Sequence, residues 1–257
     1  MKTIILAGGF GTRFSEKTDV VPKSLIRIGS KPILWHIMNH YAIYDYKEFV
    51  VALGFLGEEI KKFFLDYSSV AHDISIDLKK GNCLIYNRSI PDWNIHLVDT
   101  GIHTQTGGRI KRLKEWIGNE TFMLTYGDGL SDLDIEDLVS FHKSHGKLAT
   151  VTAVHPPPRF GGIELDGSKV VKFSEKPQKD WINGGFFVLE PKVLDFIEGD
   201  ETMWEKTPLE NLAISRELMA YTHTGFWHPM DTLRDHRTLE HLYQNGSALW
   251  MKKKEKV

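Results

Sequence analysis

Little in this chain would anchor it in a membrane or crosslink it. Its 257 residues include one cysteine, Cys83. That count excludes an intramolecular disulfide and a cysteine-based metal site, and leaves a buried or merely tolerated thiol as the expected role. No apolar run approaches the roughly 18 residues of a membrane-spanning helix. Met1-Lys2-Thr3 leads straight into a strand pattern with no signal peptide, so a cytoplasmic protein that needs no membrane is expected. Neither sign of charge prevails: 34 acidic against 32 basic side chains give no field that would draw nucleic acid or anionic lipid. The basic tail Lys252-Lys253-Lys254-Glu255-Lys256 reads as a solvated terminus.

Familiar catalytic signatures are missing too. The twelve histidines are scattered without ligand spacing, so His155 and His228 are expected to be structural. Calcium loops, zinc motifs, a Ser-His-Asp order and a nucleophile elbow are absent. Any chemistry must rest on cations and a metal rather than on a side-chain nucleophile.

What the chain does have begins at once. Thr3-Ile4-Ile5-Leu6-Ala7 is short, β-branched and apolar, as a buried parallel strand should be. Gly8, Gly9 and Gly11 follow, then Arg13 and, ten positions on, Lys23. Glycines let backbone N–H groups approach a ligand. Arginine offers a planar fork to phosphate oxygens and lysine a mobile point charge. The order Gly11-Thr12-Arg13 does not fit a Walker loop, and Phe14 stands where a dinucleotide fingerprint needs its third glycine.

Strand and helix patterns alternate through residue 155. Strands are expected at Phe49–Leu53, Ile95–Val98, Thr121–Thr125 and Leu148–Val154. Helices are expected over Lys31–Asp45, Gly57–Tyr67 and Arg109–Ile117, and from Ile135 to His142. This alternation implies an α/β fold with a mixed, mainly parallel sheet flanked by helices. After Pro156-Pro157-Pro158 the rhythm changes: Gly162–Leu165 and Lys169–Phe173 flank Asp166-Gly167 as a hairpin. A strand at Ile182–Leu189, a short helix at Pro191–Ile197, a strand at Leu218–Tyr221 and a helix at Thr232–Asn245 close the chain. One domain spanning 1–257 is expected, with residues 1–155 its alternating strand-and-helix part and 156–257 its hairpin-rich part.

Four constellations could carry chemistry. Asp128 in Tyr126-Gly127-Asp128-Gly129 sits at the carboxyl end of a strand, where such sheets bind ligands; as an isolated pattern it also reads as a turn. Asp231 precedes the final helix and is either its N-cap or a second metal carboxylate. Two distant carboxylates with substrate phosphates commonly hold Mg²⁺. Glu175-Lys176-Pro177 with Asn183 and Gly184 suits sugar hydroxyls and a phosphate monoester, or else is a surface salt pair by a turn. Thr106-Gly107-Gly108-Arg109 could present polar groups to a base, or simply begin a helix.

In this order the motifs resemble those of sugar-phosphate nucleotidyltransferases, from Met1 to about Trp250. The stretch Val98-Asp99-Thr100-Gly101 to Thr106-Gly107-Gly108-Arg109 points to the cytidylyl branch. The resemblance implies a Rossmann-like fold of the nucleotide-diphospho-sugar transferase type. It also implies Mg²⁺-dependent transfer of CMP from CTP to α-D-glucose 1-phosphate, with CDP-glucose and pyrophosphate as products, for deoxysugar and lipopolysaccharide O-antigen synthesis. By the same resemblance Leu6, Ala7, Gly8, Gly9, Gly11, Thr12 and Arg13 hold the nucleotide, Arg13 and Lys23 are catalytic, and Thr106 and Arg109 shape the base pocket. Gly162, Glu175, Lys176, Asn183 and Gly184 would hold the sugar phosphate, Asp128 and Asp231 the metal. A homo-oligomer, a hexamer among the family's states, is implied as well. Ser24 follows Lys23 where relatives usually carry proline, which suggests a looser loop there. The same chemistry with UTP or dTTP, a catalytically silent nucleotide-sugar sensor and a dinucleotide-dependent oxidoreductase are the alternatives.

Overall fold

The structure is a computed structural model that describes residues 1–11, 21–86, 90–157, 162–174 and 180–253. Its centre is a seven-stranded sheet. In chain order the strands are β1 (Thr3–Leu6), β2 (Glu48–Leu53), β3 (Asn94–Asp99), β4 (Phe122–Tyr126), β5 (Ala149–Val154), β6 (Ile182–Leu189) and β7 (Leu218–His223). They lie side by side as β7-β5-β6-β4-β1-β2-β3. β1 pairs in parallel with β2 and β4, β2 with β3, and β5 with β7. β6 alone runs against its neighbours β4 and β5. The expected mixed, mainly parallel sheet is therefore present.

Side-chain alternation divides the core in two, because successive residues of a strand face opposite sides. Ile5, Phe49, Val51, Met123, Phe186 and Val188 join one cluster; Ile4, Leu6, Val50, Ala52, Leu124 and Phe187 join the other. The first cluster is covered by α1 (Ile33–Ala42), α2 (Gly57–Leu65), α4 (Ile135–His145) and α6 (Leu233–Gln244), with Trp250 buried beside them. On the second face lie α3 (Thr106–Arg112) and α5 (Thr207–Ile214), through Ile110 and Leu212, with the fully buried Trp204.

Several boundaries differ from the sequence reading. α3 starts at Thr106, not Arg109, and a separate turn of helix covers Lys114–Ile117. The hairpin Gly162–Asp166/Lys169–Ser174 is present, but its turn falls on Gly167-Ser168, with Asp166 opposite Lys169 and Gly167 at φ +59°. Several elements have no counterpart in that reading, among them α5 and a hairpin, Ile74–Asp77 with Asn82–Ile85, that carries Cys83. Cys83 is exposed, so the buried role does not hold. Among the described residues no helix is long and apolar enough to cross a membrane.

The sheet's topology positions the site. β1 is flanked on one side by β2 and on the other by β4, so the chain leaves β1 at the point where connections diverge, the usual ligand crevice of open α/β sheets. Gly8 after β1, Gly54 after β2, Thr100 after β3 and Gly127-Asp128 after β4 share that edge. The antiparallel β6 brings its first residues, Ile182–Gly185, to the same edge.

Candidate active site

A cleft of about 610 Å³ opens along this edge. Leu6, Ala7, Gly8, Gly9, Gly11, Lys23, Thr106, Arg109, Asp128 and Asp231 all line it. Ten residues singled out from sequence thus converge on one cavity. Thr12, Arg13, Glu175 and Lys176 lie outside the described residues. Asn183 and Gly184 do not line this cleft. Asn183 and Gly184 each touch its wall, through Tyr126 and Trp227 respectively.

The glycine loop is shaped by Arg109. That side chain is buried, 4% exposed. Its Nη1 donates to Leu53 O, Thr100 Oγ1 and Gly101 O at 2.8–2.9 Å, and its Nη2 to Gly8 O at 3.0 Å and Ile102 O at 3.2 Å. One guanidinium therefore ties together the loops after β1, β2 and β3. Burial lowers its pKa from the ordinary arginine value, though a guanidinium stays protonated in proteins. A Cβ on Gly8 would stand 2.3 Å from Nη1 and one on Gly54 would stand 2.5 Å from it, so both glycines make room for arginine. Gly9 differs: nothing lies within 4 Å of a Cβ built there, and its backbone is open to the cleft.

This geometry shows how the Thr-Gly-Gly-Arg motif is held in the fold. Arg109 lines the cleft, but both its terminal nitrogens are committed to protein acceptors. Gly107 and Gly108 lie against the backbone of the Asp200–Trp204 loop, where a Cβ would come within 2.6 Å of Thr202 O or 2.5 Å of Asp200 O. Thr106 Oγ1 accepts from Trp204 N at 2.9 Å and donates to Glu205 Oε2 at 2.6 Å. The motif builds the wall of the cleft; its side-chain polar groups bond to the protein.

The charged centre lies on the other wall. Lys23 Nζ donates to Asp128 Oδ2 at 2.6 Å and to Asp231 Oδ1 at 2.8 Å. Burial works against its charge, but the two carboxylates outweigh burial and raise its pKa above the ordinary lysine value. Their convergence has a backbone cause. Gly129–Ser131 pairs antiparallel with Trp227–Pro229, placing Pro229 opposite Gly129, and Met230 N donates to Asp128 O at 2.8 Å. The Gly-Asp-Gly turn is thus the start of a two-stranded ladder that draws Asp231 alongside Asp128. Asp231 is not the helix cap: Thr232 is, in a capping box with Asp235. Lys23–Leu25 forms a 3₁₀ turn after Pro22, with Ser24 buried.

A second polar group was not foreseen from sequence. Glu205 Oε1 accepts from Tyr126 Oη at 2.7 Å while Oε2 accepts from Thr106. Asn183 Nδ2 reaches Tyr126 Oη at 3.4 Å. Burial and the adjacent Glu205 carboxylate push the Tyr126 phenol far up, so it stays a donor. Glu205 sits in an irregular segment with no motif around it, and only the fold brings it to the cleft. On the rim, Phe10 is 45% exposed and lies tilted against Phe55, ring centres 5.2 Å apart, and 6.2 Å from His103.

Residues 2–231 match the Nucleotidyl transferase family. The chain belongs to that family. As a nucleotidyl transferase it is 49% identical to the glucose-1-phosphate cytidylyltransferase of Salmonella typhi over 253 residues, 97% of this chain and 98% of that one. It is 44% identical to the probable glucose-1-phosphate cytidylyltransferase of Bacillus subtilis over 252 residues, 97% and 99% of the two chains. The fold is also that of the inositol-1-phosphate CTP transferase from T. maritima, with a TM-score of 0.67 at 16% identity across 100% of this nucleotidyl transferase and 97% of that chain.

Proposed function

We propose that this nucleotidyl transferase is a glucose-1-phosphate cytidylyltransferase, transferring CMP from CTP to α-D-glucose 1-phosphate to give CDP-glucose and pyrophosphate. The observation that carries this reading is near-full-length identity of 44–49% to relatives of that name. Those relatives favour it over a UTP- or dTTP-using enzyme and over a silent sensor. A phosphate oxygen of the sugar phosphate attacks the α-phosphorus of CTP and the P–O bond to pyrophosphate breaks, so catalysis rests on alignment and charge stabilisation.

The roles follow the cleft. Gly9 and Gly11, with Leu6, Ala7 and Gly8, form the floor on which the nucleotide rests, and Thr12 and Arg13 are proposed to continue it. Lys23 is the cation for charge on the α-phosphate and departing pyrophosphate. Thr106 and Arg109 hold the shape of the base side. Glu175, Lys176, Asn183, Gly184 and Gly162 are proposed for the sugar phosphate.

Asp128 and Asp231 would hold Mg²⁺. Their fit rests on geometry: carboxylates from separate segments already meet at one cationic nitrogen, and hard oxygen donors in pairs suit this ion when phosphates and water fill its other positions. Among the described residues no third His, Cys, Asp or Glu joins them. Bound there, Mg²⁺ would supply charge neutralisation on the phosphates.

The division into a nucleotide side, 1–155, and a sugar side, 156–257, is proposed on the same basis. So is a homo-oligomer, supported by the exposed Leu165, Val170, Val171 and Phe173 on the second hairpin. Pyrophosphate release with Mg²⁺, glucose 1-phosphate and each of CTP, UTP, dTTP and GTP tests the reaction. Selective release with CTP is expected; release with UTP alone would overturn the base assignment.

A further inference from the structure

We infer that Glu205 is a substrate-contacting residue, the acceptor for vicinal hydroxyls of a sugar ring bound in the cleft. The inference rests on the cytidylyltransferase reading, which supplies two such rings, the ribose of CTP and the hexose of the sugar phosphate.

Hydrogen directions carry it. A carboxylate only accepts, and each hydroxyl has one proton to give. Thr106 and Tyr126 both give theirs to Glu205. Behind them, Trp204 N donates to Thr106 Oγ1 and Asn183 Nδ2 to Tyr126 Oη. Every proton in this relay runs toward Glu205, so neither hydroxyl has a proton left for a ligand. Glu205 is where acceptor capacity remains: each oxygen holds one hydroxyl and keeps a further lone-pair direction. The residue lines the cleft and is solvent-exposed, and no cation among the described residues pairs with it.

Charge then narrows the ligand. A carboxylate repels phosphate, so it faces a neutral part of the substrates. Two adjacent lone-pair sites on one carboxylate match two adjacent O–H donors. A vicinal diol presents that pair; the single exocyclic amino group of cytosine does not. Glu205 also stands between Thr106, on the proposed base side, and Asn183, on the proposed sugar side, where either ring could reach it.

The test uses the full-length enzyme with Glu205→Gln, which keeps shape and loses the charged acceptor, and Glu205→Asp, which keeps the charge. Losing a hydrogen bond to a charged acceptor weakens binding by about tenfold or more. Glu205→Gln is expected to raise KM about tenfold for the substrate whose ring it holds, with the other KM and Tm little changed and partial recovery in Glu205→Asp. If the ring is ribose, 2′-deoxyCTP is insensitive to the substitution; if it is the hexose, one of the monodeoxyglucose 1-phosphates is. Both KM values unchanged in both variants would overturn the inference. So would an equal loss on every substrate and analogue with a fall in Tm, which makes Glu205 a structural brace, or a loss of CTP-over-UTP preference without diol sensitivity. Wild-type enzyme that makes no CDP-glucose sinks the underlying reading instead. Calorimetric binding of CTP, 2′-deoxyCTP and the sugar phosphates to wild type and Glu205→Gln then decides the role of Glu205: equal affinities in the two proteins overturn it.

Discussion

Lys23 Nζ stands 2.6 Å from Asp128 Oδ2, across 105 residues of sequence, while sharing its charge with Asp231 at 2.8 Å. The ammonium thus occupies the position between the two carboxylates that a divalent cation held by them would take, and it would have to leave as that cation enters. Lys23→Met is expected to bind Mn²⁺ more tightly than wild type when no nucleotide is present, read by electron paramagnetic resonance titration. With both substrates and saturating Mg²⁺, Lys23→Ala should lower kcat by roughly 10²–10³, the range for losing one transition-state charge partner. An unchanged rate would remove Lys23 from that role.

Asp128→Asn and Asp231→Asn each leave one carboxylate on the ammonium. Half-saturation for Mg²⁺ should rise in both, with some activity recovered at high metal concentration. Equal metal dependence in mutant and wild type would sink the metal assignment for that residue.

Arg109→Ala removes five hydrogen bonds and strands several carbonyl oxygens at the ends of β1, β2 and β3. A loss of roughly 2–4 kcal/mol is expected in chemical denaturation, from leaving buried acceptors unpaired. Lysine cannot reproduce the planar fork, so Arg109→Lys should rescue little. Full rescue by lysine would mean that charge, not geometry, holds the loops.

Acid sensitivity has an identifiable source. His40 on α1 is 2% exposed, and burial lowers its pKa to about 4, with Nδ1 contacting Trp250 O at 3.3 Å. His36 is shifted the same way for the same reason. An unfolded histidine takes up its proton near pH 6.5. Between pH 6.5 and about 4 the unfolded chain therefore binds more protons, and stability falls as pH falls. His40 alone contributes a loss of about 3 kcal/mol by pH 4. Urea denaturation at pH 7 and pH 4.5 checks this, and His40→Gln should flatten the difference.

Thr232→Ala removes the cap of α6 and one half of its capping box. A loss of about 1 kcal/mol is expected by thermal denaturation, with a small rise in the Mg²⁺ requirement because Asp231 is the preceding residue. No change in stability would mean that Asp235 holds the helix start alone.

Much of the fold was legible because buried strands and amphipathic helices have strong periods; all seven central strands overlap runs that read as strands. The hairpin at Ile74–Ile85 escaped because its strands are only four residues long: Ile74-Ser75-Ile76-Asp77 alternates too briefly to stand out, and both strands are largely exposed. Gly9, Lys23, Asp128 and Asp231, singled out by residue type and spacing, meet at the cleft. Arg109 also lines the cleft, but sequence cannot show which acceptors its guanidinium will find. Glu205 was invisible because its meaning comes from Thr106 and Tyr126, residues 99 and 79 positions away.

The ladder that joins Gly129–Ser131 to Trp227–Pro229 has a kinetic consequence. It closes a contact across nearly a hundred residues, and β5, β6 and β7 all lie in the chain between its two strands. Contacts of such separation slow folding, because loop-closure entropy is paid before they form. A chain ordered only from β1 to β4 would hold Lys23 against Asp128 with no second carboxylate. Recovery of activity during refolding should therefore lag recovery of the central sheet, and divalent-cation binding should return with activity rather than with secondary structure.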